Sequence, residues 1–215
     1  MSRSGPGSTM ALVVAKEPVP GRVKTRLCPP LSPVEAAAVA EAALSDTLQA
    51  VAGCGADRLV LALDGAPGPW LPPGFEVVAQ RSGGLAERLA AAWDDAGGPG
   101  VQVGMDTPQL QAGDLDSALA ALDDHDAALG LAEDGGWWAV ALRRSDPACF
   151  AGVPMTTAAT GQAQHRRLLD LGLSVAPLRT LRDLDHLDDL AAIAAEHPTL
   201  RVSALAAPLL AAAYR

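Results

Sequence analysis

The sequence predicts an α/β fold built on a single mixed, mostly parallel sheet between helices, and three observations predict it. Short apolar runs, several of them β-branched, alternate with longer segments of helical periodicity, the pattern of strand–helix–strand units whose sheet is covered on both faces. A length of 215 residues suits one such domain. Hydrophobic residues make up 49% of the chain, enough for a core of that size and too many for wholesale disorder.

The elements follow in order. Residues 1–9, MSRSGPGST, are polar and read as a flexible leader, which leaves 10–215 as the single domain. ALVVA (11–15) is a buried strand, and a loop punctuated by Pro and Gly follows over 16–32. Ser32-Pro33, with Glu35 three residues after the serine, is a helix start, and the Ala-rich stretch runs from there to Ala52 and Gly53. RLVLAL (58–63) and FEVVAQ (75–80) are strands. Gly83-Gly84 introduces a helix over 85–96, and VQVGM (101–105) is a strand ending on Asp106. A helix near 114–123 leads to the strand AALGL (127–131), the turn EDGG and the strand WWAVAL (137–142). A helix over about 161–171, the short strand SVAPL, an acidic helix near 186–196 and an Ala/Leu tail interrupted by Pro208 complete the chain.

Charge and cysteine usage remove several function classes. The net charge is −9, and the deficit falls entirely after residue 90. An acidic chain of this kind is a poor partner for nucleic acid, where phosphate neutralisation dominates affinity. No run approaches the ~18 apolar residues of a membrane span. Cys28, Cys54 and Cys149 are odd in number and lack C-x-x-C spacing, so no disulfide framework is expected and the compartment is read as cytoplasmic. Oligomeric state is not legible.

In such sheets ligands sit beyond the carboxyl ends of the strands, and the informative residues do follow strands. The first strand is followed by KEPVPGRVKTR (16–26), where Lys16, Arg22, Lys24 and Arg26 face a single acid, Glu17, around Gly21. Four cations leading into a helix make a phosphate cradle, or else an ordinary solvated basic loop. Neither G-x-x-x-x-G-K-[ST] nor a strand-linked G-x-G-x-x-G occurs, which argues against a P-loop ATPase and a nicotinamide dehydrogenase. GMDTPQL (104–110) puts Asp106 at a strand end, either as a carboxylate for Mg2+ facing bound phosphates or as a turn residue before Thr-Pro. In LAEDGGWW (131–138), Gly135-Gly136 allow a tight turn or close approach to a ligand, with Asp134 at its mouth. Adjacent Trp137 and Trp138 must face opposite sides of the sheet. RDLDHLDDL (182–190) offers Asp183 and Asp185 as a second metal carboxylate, while Asp188 and Asp189 suit a helix first turn. The four histidines show no metal-ligand spacing, and no G-x-S-x-G appears.

AKEPVPGRVKTRL (15–27), GMDTPQL (104–110), AEDGGWW (132–138) and DLDHLDDL (183–190), in this order, resemble a bacterial family of glycosyltransferase-like proteins, labelled arsenosugar-biosynthesis glycosyltransferases or left as a domain of unknown function. More distantly the chain is similar to the 2-phospholactate guanylyltransferases and other nucleotide-sugar pyrophosphorylases. The resemblance implies the nucleotide-diphospho-sugar transferase fold, a Rossmann-like sheet of the GT-A kind. It also implies a triphosphate loop at Lys16, Gly21, Arg22, Lys24 and Arg26, with Gln80 and Gly84 near the nucleobase and ribose. Asp106 falls on its metal aspartate, Asp185 on a second, and Asp134, Gly135, Gly136 and Trp137 beside the acceptor. Three stretches depart from the family pattern: Gly130-Leu131 for Gly-Pro, Pro154-Met155-Thr156 for a proline followed by Trp-Ser, and Asp183-Leu184-Asp185-His186 for Asp-Val-Asp-Thr.

Taken together, these residues lead to a transferase that uses Mg2+ or Mn2+ and moves a nucleoside monophosphate from an NTP to a small phosphorylated acceptor, with Lys24, Arg26 and Asp106 as the catalytic groups. Four cations plus a metal suit a triphosphate that sheds pyrophosphate better than they suit a sugar diphosphate. A glycosyltransferase taking a nucleotide sugar is the second reading, and a non-catalytic nucleotide- or partner-binding module is the third. In either catalytic case the partners are a nucleotide or nucleotide sugar and a small molecule, with neither nucleic acid nor membrane.

Overall fold

The computed structural model describes residues 8–213, and its centre is a seven-stranded sheet. The strands are β1 (Met10–Lys16), β2 (Arg58–Asp64), β3 (Phe75–Ala79), β4 (Gly100–Val103), β5 (Ala127–Leu131), β6 (Trp137–Leu142) and β7 (Val175–Pro177), in the order β3-β2-β1-β4-β6-β5-β7. β1 pairs in parallel with both β2 and β4, and only β6 runs antiparallel to its neighbours. The chain therefore winds outward in two directions from β1 and β4. That reversal leaves a crevice at their carboxyl ends. Because β6 runs backwards, its first residue, Trp137, reaches the same edge.

Helices cover both faces. α1 (Pro33–Ala52) and α3 (Ala112–Ala121) bury Leu44, Leu48, Val51 and Leu115 against one face, with Val13, Val101 and Val103 from the strands. α2 (Leu85–Ala96) and α4 (Thr160–Asp170) bury Leu89, Trp93 and Leu168 against the other, with Leu12, Val60 and Val140. A third cluster joins α1 to α5 (Leu187–Glu196) and α6 (Arg201–Ala213) through Val39, Leu184, Leu190, Ile193 and Val202. Asp46 of α1 is buried there, and its carboxylate accepts the Arg201 and Val202 N–H groups at 3.1 and 3.0 Å, capping α6.

Local chemistry explains most boundaries. Ser32 Oγ accepts the Glu35 N–H at 3.3 Å and Glu35 accepts the Ser32 N–H at 2.8 Å, the reciprocal cap expected for α1. Glu87 closes the start of α2 by accepting the Gly84 N–H at 2.9 Å. α3 starts two residues before the expected 114 because Asp114 is its cap, accepting the Gln111 N–H at 2.9 Å. β4 ends at Val103, short of the expected 105, so Gly104, Met105 and Asp106 lie on a loop. The tail is not broken at Pro208: α6 runs through it. Pro208 and Ala204, whose carbonyl loses its donor, both lie on the exposed face, where water replaces the missing bond. Of the expected leader, residues 1–7 lie outside the described residues. Thr9 is held by Asp57, which accepts its N–H at 2.7 Å.

Trp137 and Trp138 pack on opposite faces, as their adjacency requires. The register slips at Gly130/Leu131, and the bulge puts Trp138 on the same side as Ala139. A side chain at Gly130 would strike the Trp138 indole, so the glycine makes room for the ring.

Candidate active site

The loop after β1 is fixed at both ends. Glu17 accepts the Ala66 N–H at 2.9 Å beyond β2, while Val23 and Leu27 are buried. Between them Lys24 adopts a left-handed conformation, φ 46°, and starts a 3₁₀ turn at Thr25–Leu27. This turns its side chain inward until only 5% is exposed. Its ammonium lies 2.5 Å from Asp106 and 3.5 Å from Asp185 and donates to the Leu184 carbonyl. Burial by itself would push this ammonium down, but Asp106, Asp185 and Asp183 together hold it above its ordinary value. Arg26 also reaches Asp185, at 2.5 Å. The two cations expected on the outer phosphates are thus engaged by the two expected metal aspartates.

The aspartates come from different parts of the chain. Asp106 follows β4, and Asp183 and Asp185 lie on the segment after β7. The Leu184 N–H, which donates to the Asp106 carbonyl at 2.7 Å, ties the two segments together. Thr107 Oγ1 donates to Asp183 at 2.9 Å, and Gln109 donates to the Arg182 carbonyl at 2.6 Å. Burial, and then the neighbouring Asp106, push the Asp183 carboxyl up to about 7. Asp189 accepts the His186 N–H at 2.8 Å and so caps α5.

Two adjoining cavities open here. The smaller, about 370 Å³, is lined by Lys16, Arg22, Lys24, Arg26 and Arg88, against only Asp106 and Asp185. The larger, about 660 Å³, is lined by Asp106, Asp134, Asp183, Asp185, Asp189 and Glu133, against only Arg26 and Arg182. Arg182 pairs with Glu133 at 3.0 Å. Asp106, Asp185, Arg26, Met105 and Thr156 belong to both, so the two carboxylates stand on the shared wall. One cavity is cationic, the other acidic.

The remaining expected residues fall unevenly. Lys16 and Arg22 line the cationic cavity, and Arg22 lies 3.7 Å from Asp64. Gln80 lines it too, but its amide donates to the Ala15 and Ala62 carbonyls at 2.7 and 3.0 Å and its oxygen accepts from Arg88 at 2.9 Å. It fixes the ends of β1 and β2 and orients Arg88. Gly21 and Gly84 line neither cavity. Asp134, Gly136 and Trp137 line the acidic cavity, with Asp134 accepting the Gly136 N–H at 2.8 Å. Gly135 lines neither: at φ 89° it lies against Ala158, where a Cβ would collide with backbone, and its carbonyl accepts the Gly161 N–H at 2.8 Å.

Several lining residues were not anticipated. Thr156 and Lys24 are the non-glycine residues with positive φ among the described residues, and both line the site. Such backbone conformations cost energy and concentrate where function needs them, most clearly for a β-branched threonine. The sequence marks Thr156 only as part of the departure Pro154-Met155-Thr156, with no role attached. Gln102 had one: it is a single polar residue inside the apolar run VQV. Arg88 sits on α2, outside the basic loop.

A family model described as an uncharacterized protein conserved in bacteria (DUF2064) matches residues 36–157, more than half of the chain. No curated protein matches it. The chain is similar to a candidate nucleotide-diphospho-sugar transferase of Desulfovibrio desulfuricans G20, at 27% identity and a TM-score of 0.82, covering 92% of this chain and 93% of that one. It is similar in fold to a CMP:2-keto-3-deoxy-manno-octonic acid synthetase complexed with CTP, at 13% identity and a TM-score of 0.56 over 88% of this chain and 99% of that one. The same holds for Rv0371c of Mycobacterium tuberculosis H37Rv in complex with manganese, at 20% identity and 0.52 over 87% and 98%. The fold is that of the nucleotide-diphospho-sugar transferases.

Proposed function

The chain belongs to the DUF2064 family of proteins conserved in bacteria, and from that membership and its paired cavities we propose that it is a divalent-metal-dependent transferase moving a nucleotidyl group from an NTP to a small acceptor. The observation that carries this reading is the shared wall: a cationic cavity and an acidic one meet at Asp106 and Asp185. A polyphosphate needs the first, and a reacting partner approaches from the second. The likenesses to a CTP-bound synthetase and to a candidate nucleotide-diphospho-sugar transferase support it.

The residues fit Mg2+ or Mn2+. The Lys24 ammonium already stands as a cation between two carboxylates, at 2.5 and 3.5 Å. Among the described residues no group of three or more His, Cys, Asp or Glu is placed to hold a metal. Two hard oxygen donors nonetheless suffice for Mg2+, which keeps most of its waters. When bound, such an ion neutralises phosphate charge and orients phosphate oxygens. The protein's own part is electrostatic. Lys16, Arg22 and Arg88 hold the donor phosphates. An acceptor oxygen attacks the α-phosphorus, a hydroxyl giving up its proton to a carboxylate of the acidic cavity, the bond to pyrophosphate breaks, and Lys24 and Arg26 stabilise the charge that develops on the leaving group.

Glycosyl transfer from a nucleotide sugar is the second reading, favoured by the size of the larger cavity, about 660 Å³, which has room for a donor sugar. One assay separates them. Pyrophosphate released from an NTP, with loss of the signal in EDTA, supports nucleotidyl transfer. Release of nucleoside diphosphate from nucleotide sugars alone overturns it in favour of the second.

A further inference from the structure

On the side formed by α2 and α4, the wall of the larger cavity is uncharged: Leu89, Gln102, Trp137, Met155, Thr157 and Thr160. Gln102 lies mid-strand in β4, paired in register with Leu12 and Val140, and is 1% exposed. Its neighbours Val101 and Val103 belong to the opposite core cluster, so its carboxamide is on the α2 and α4 face. The carboxamide oxygen is buried without a hydrogen-bond partner, and so is the indole nitrogen of Trp137. One of these groups accepts and the other donates. Gln80 makes the contrast, for its carboxamide is fully used within the protein.

Burying a polar group unpaired is costly, and a leucine at position 102 would pack in this apolar setting without that cost. Seven buried side-chain N or O atoms lack a partner among the described residues, and Gln102 and Trp137 are the two whose residues line this cavity, where a ligand group can meet them. Hydroxyl groups, which donate and accept, fit this pair. Anions do not: of the two cations in the wall, Arg26 is bound to Asp185 and Arg182 to Glu133, while Asp134 and Asp189 add negative charge. Resting on the reading of the two cavities as donor and acceptor sides, we propose that the acceptor is an uncharged hydroxylated molecule, a sugar or polyol, and that Gln102 selects it through its unpaired carboxamide oxygen. This departs from the phosphorylated acceptor that the sequence suggests.

The test uses Gln102→Leu beside the wild type. In the ligand-free protein the variant melts higher, by about 2–6 °C, because the unpaired oxygen is gone. A lower melting point means the carboxamide has a structural partner and overturns the proposal. Glucose, ribose and glycerol are then compared with glucose 6-phosphate, ribose 5-phosphate and glycerol 3-phosphate by melting shift. The proposal expects stabilisation of the wild type by at least one uncharged compound, a smaller effect from its phosphate ester, and at least a tenfold weaker affinity in Gln102→Leu. Larger shifts with the esters, or no shift with any of the six, overturn it. NTP binding to the wild type is measured in the same series. Its absence refutes the transferase reading and leaves the polyol result to stand or fall by itself.

Discussion

Lys24→Met removes one charge and keeps most of the aliphatic stem. In the folded protein that charge is 5% exposed, and it faces two carboxylates that retain water, Asp106 at 43% and Asp185 at 30%. Breaking a fully buried pair costs roughly 3–5 kcal/mol, because the partner left behind is dry. Here the partners stay hydrated, which brings the expected loss to about 2–3 kcal/mol. For a chain of this length each kcal/mol moves the melting point by about 2–4 °C, so calorimetry without metal at pH 8 should show a fall of about 4–12 °C. The variant also leaves Asp106 without its counter-ion and Asp185 with Arg26 alone, so added Mg2+ should raise its melting point more than that of the wild type. A fall under about 1 °C, or equal Mg2+ shifts in both proteins, would refute the view that Lys24 clamps these aspartates.

Asp106→Asn should lower turnover by orders of magnitude and, because Lys24 loses its nearest carboxylate, also lower the melting point by an amount worth about 1–3 kcal/mol; steady-state kinetics and calorimetry check both. Asp183, held up to about 7 in the fold, makes folding favour the protonated carboxyl, so its own contribution to stability is full below about pH 4 and is lost as the pH rises through 7. Asp183→Asn removes that fall, and urea melts should show the variant near the wild type at pH 4 and more stable at pH 8, by up to ~4 kcal/mol. Gly135→Ala forces a Cβ against the Ala158 backbone at φ 89° and should cost at least about 2 kcal/mol in the same melts. An unchanged midpoint would mean that the turn does not press on the start of α4.

What the sequence made legible was the part governed by local rules. Ser32, Pro33 and Glu35 announce α1 because a capping box is written within four residues. Lys16, Arg22, Lys24 and Arg26 mark the cationic side because they crowd into residues 16–26, from the end of β1 into the loop that follows it. The acidic side was harder to read. Its carboxylates follow β4, β5 and β7, which meet only because the sheet reverses between β1 and β4 and β6 runs antiparallel. Gln80 and Gln102 look alike as single glutamines by a strand. Only the fold separates one that fastens two strand ends from one left unpaired in a cavity wall. The backbone of Thr156 gave no signal, since a positive φ on a threonine is imposed by its surroundings and is not a preference of the residue.

The choice of lysine at position 24 points the same way. This chain draws fourteen of its sixteen cations from arginine, so a lysine is the exception that needs a reason. Lys24 meets three acceptors from two segments: the Asp106 carboxylate, the Asp185 carboxylate and the Leu184 carbonyl. An ammonium offers three donors spread tetrahedrally at one point, which suits acceptors converging on a buried position. A guanidinium spreads five donors in a plane and suits a single carboxylate or phosphate approached edge-on, as Arg58 does with Glu76. A compact cation at that point, between two carboxylates on the wall of a polyphosphate-sized cavity, also marks a position that a hard divalent ion can take. On the proposed function, a divalent ion held by Asp106 and Asp185 would free the lysine's charge for the donor phosphates. Lys24 neutralises the two carboxylates and would then serve donor binding as well, which an arginine tied to one partner in a fixed plane would do poorly.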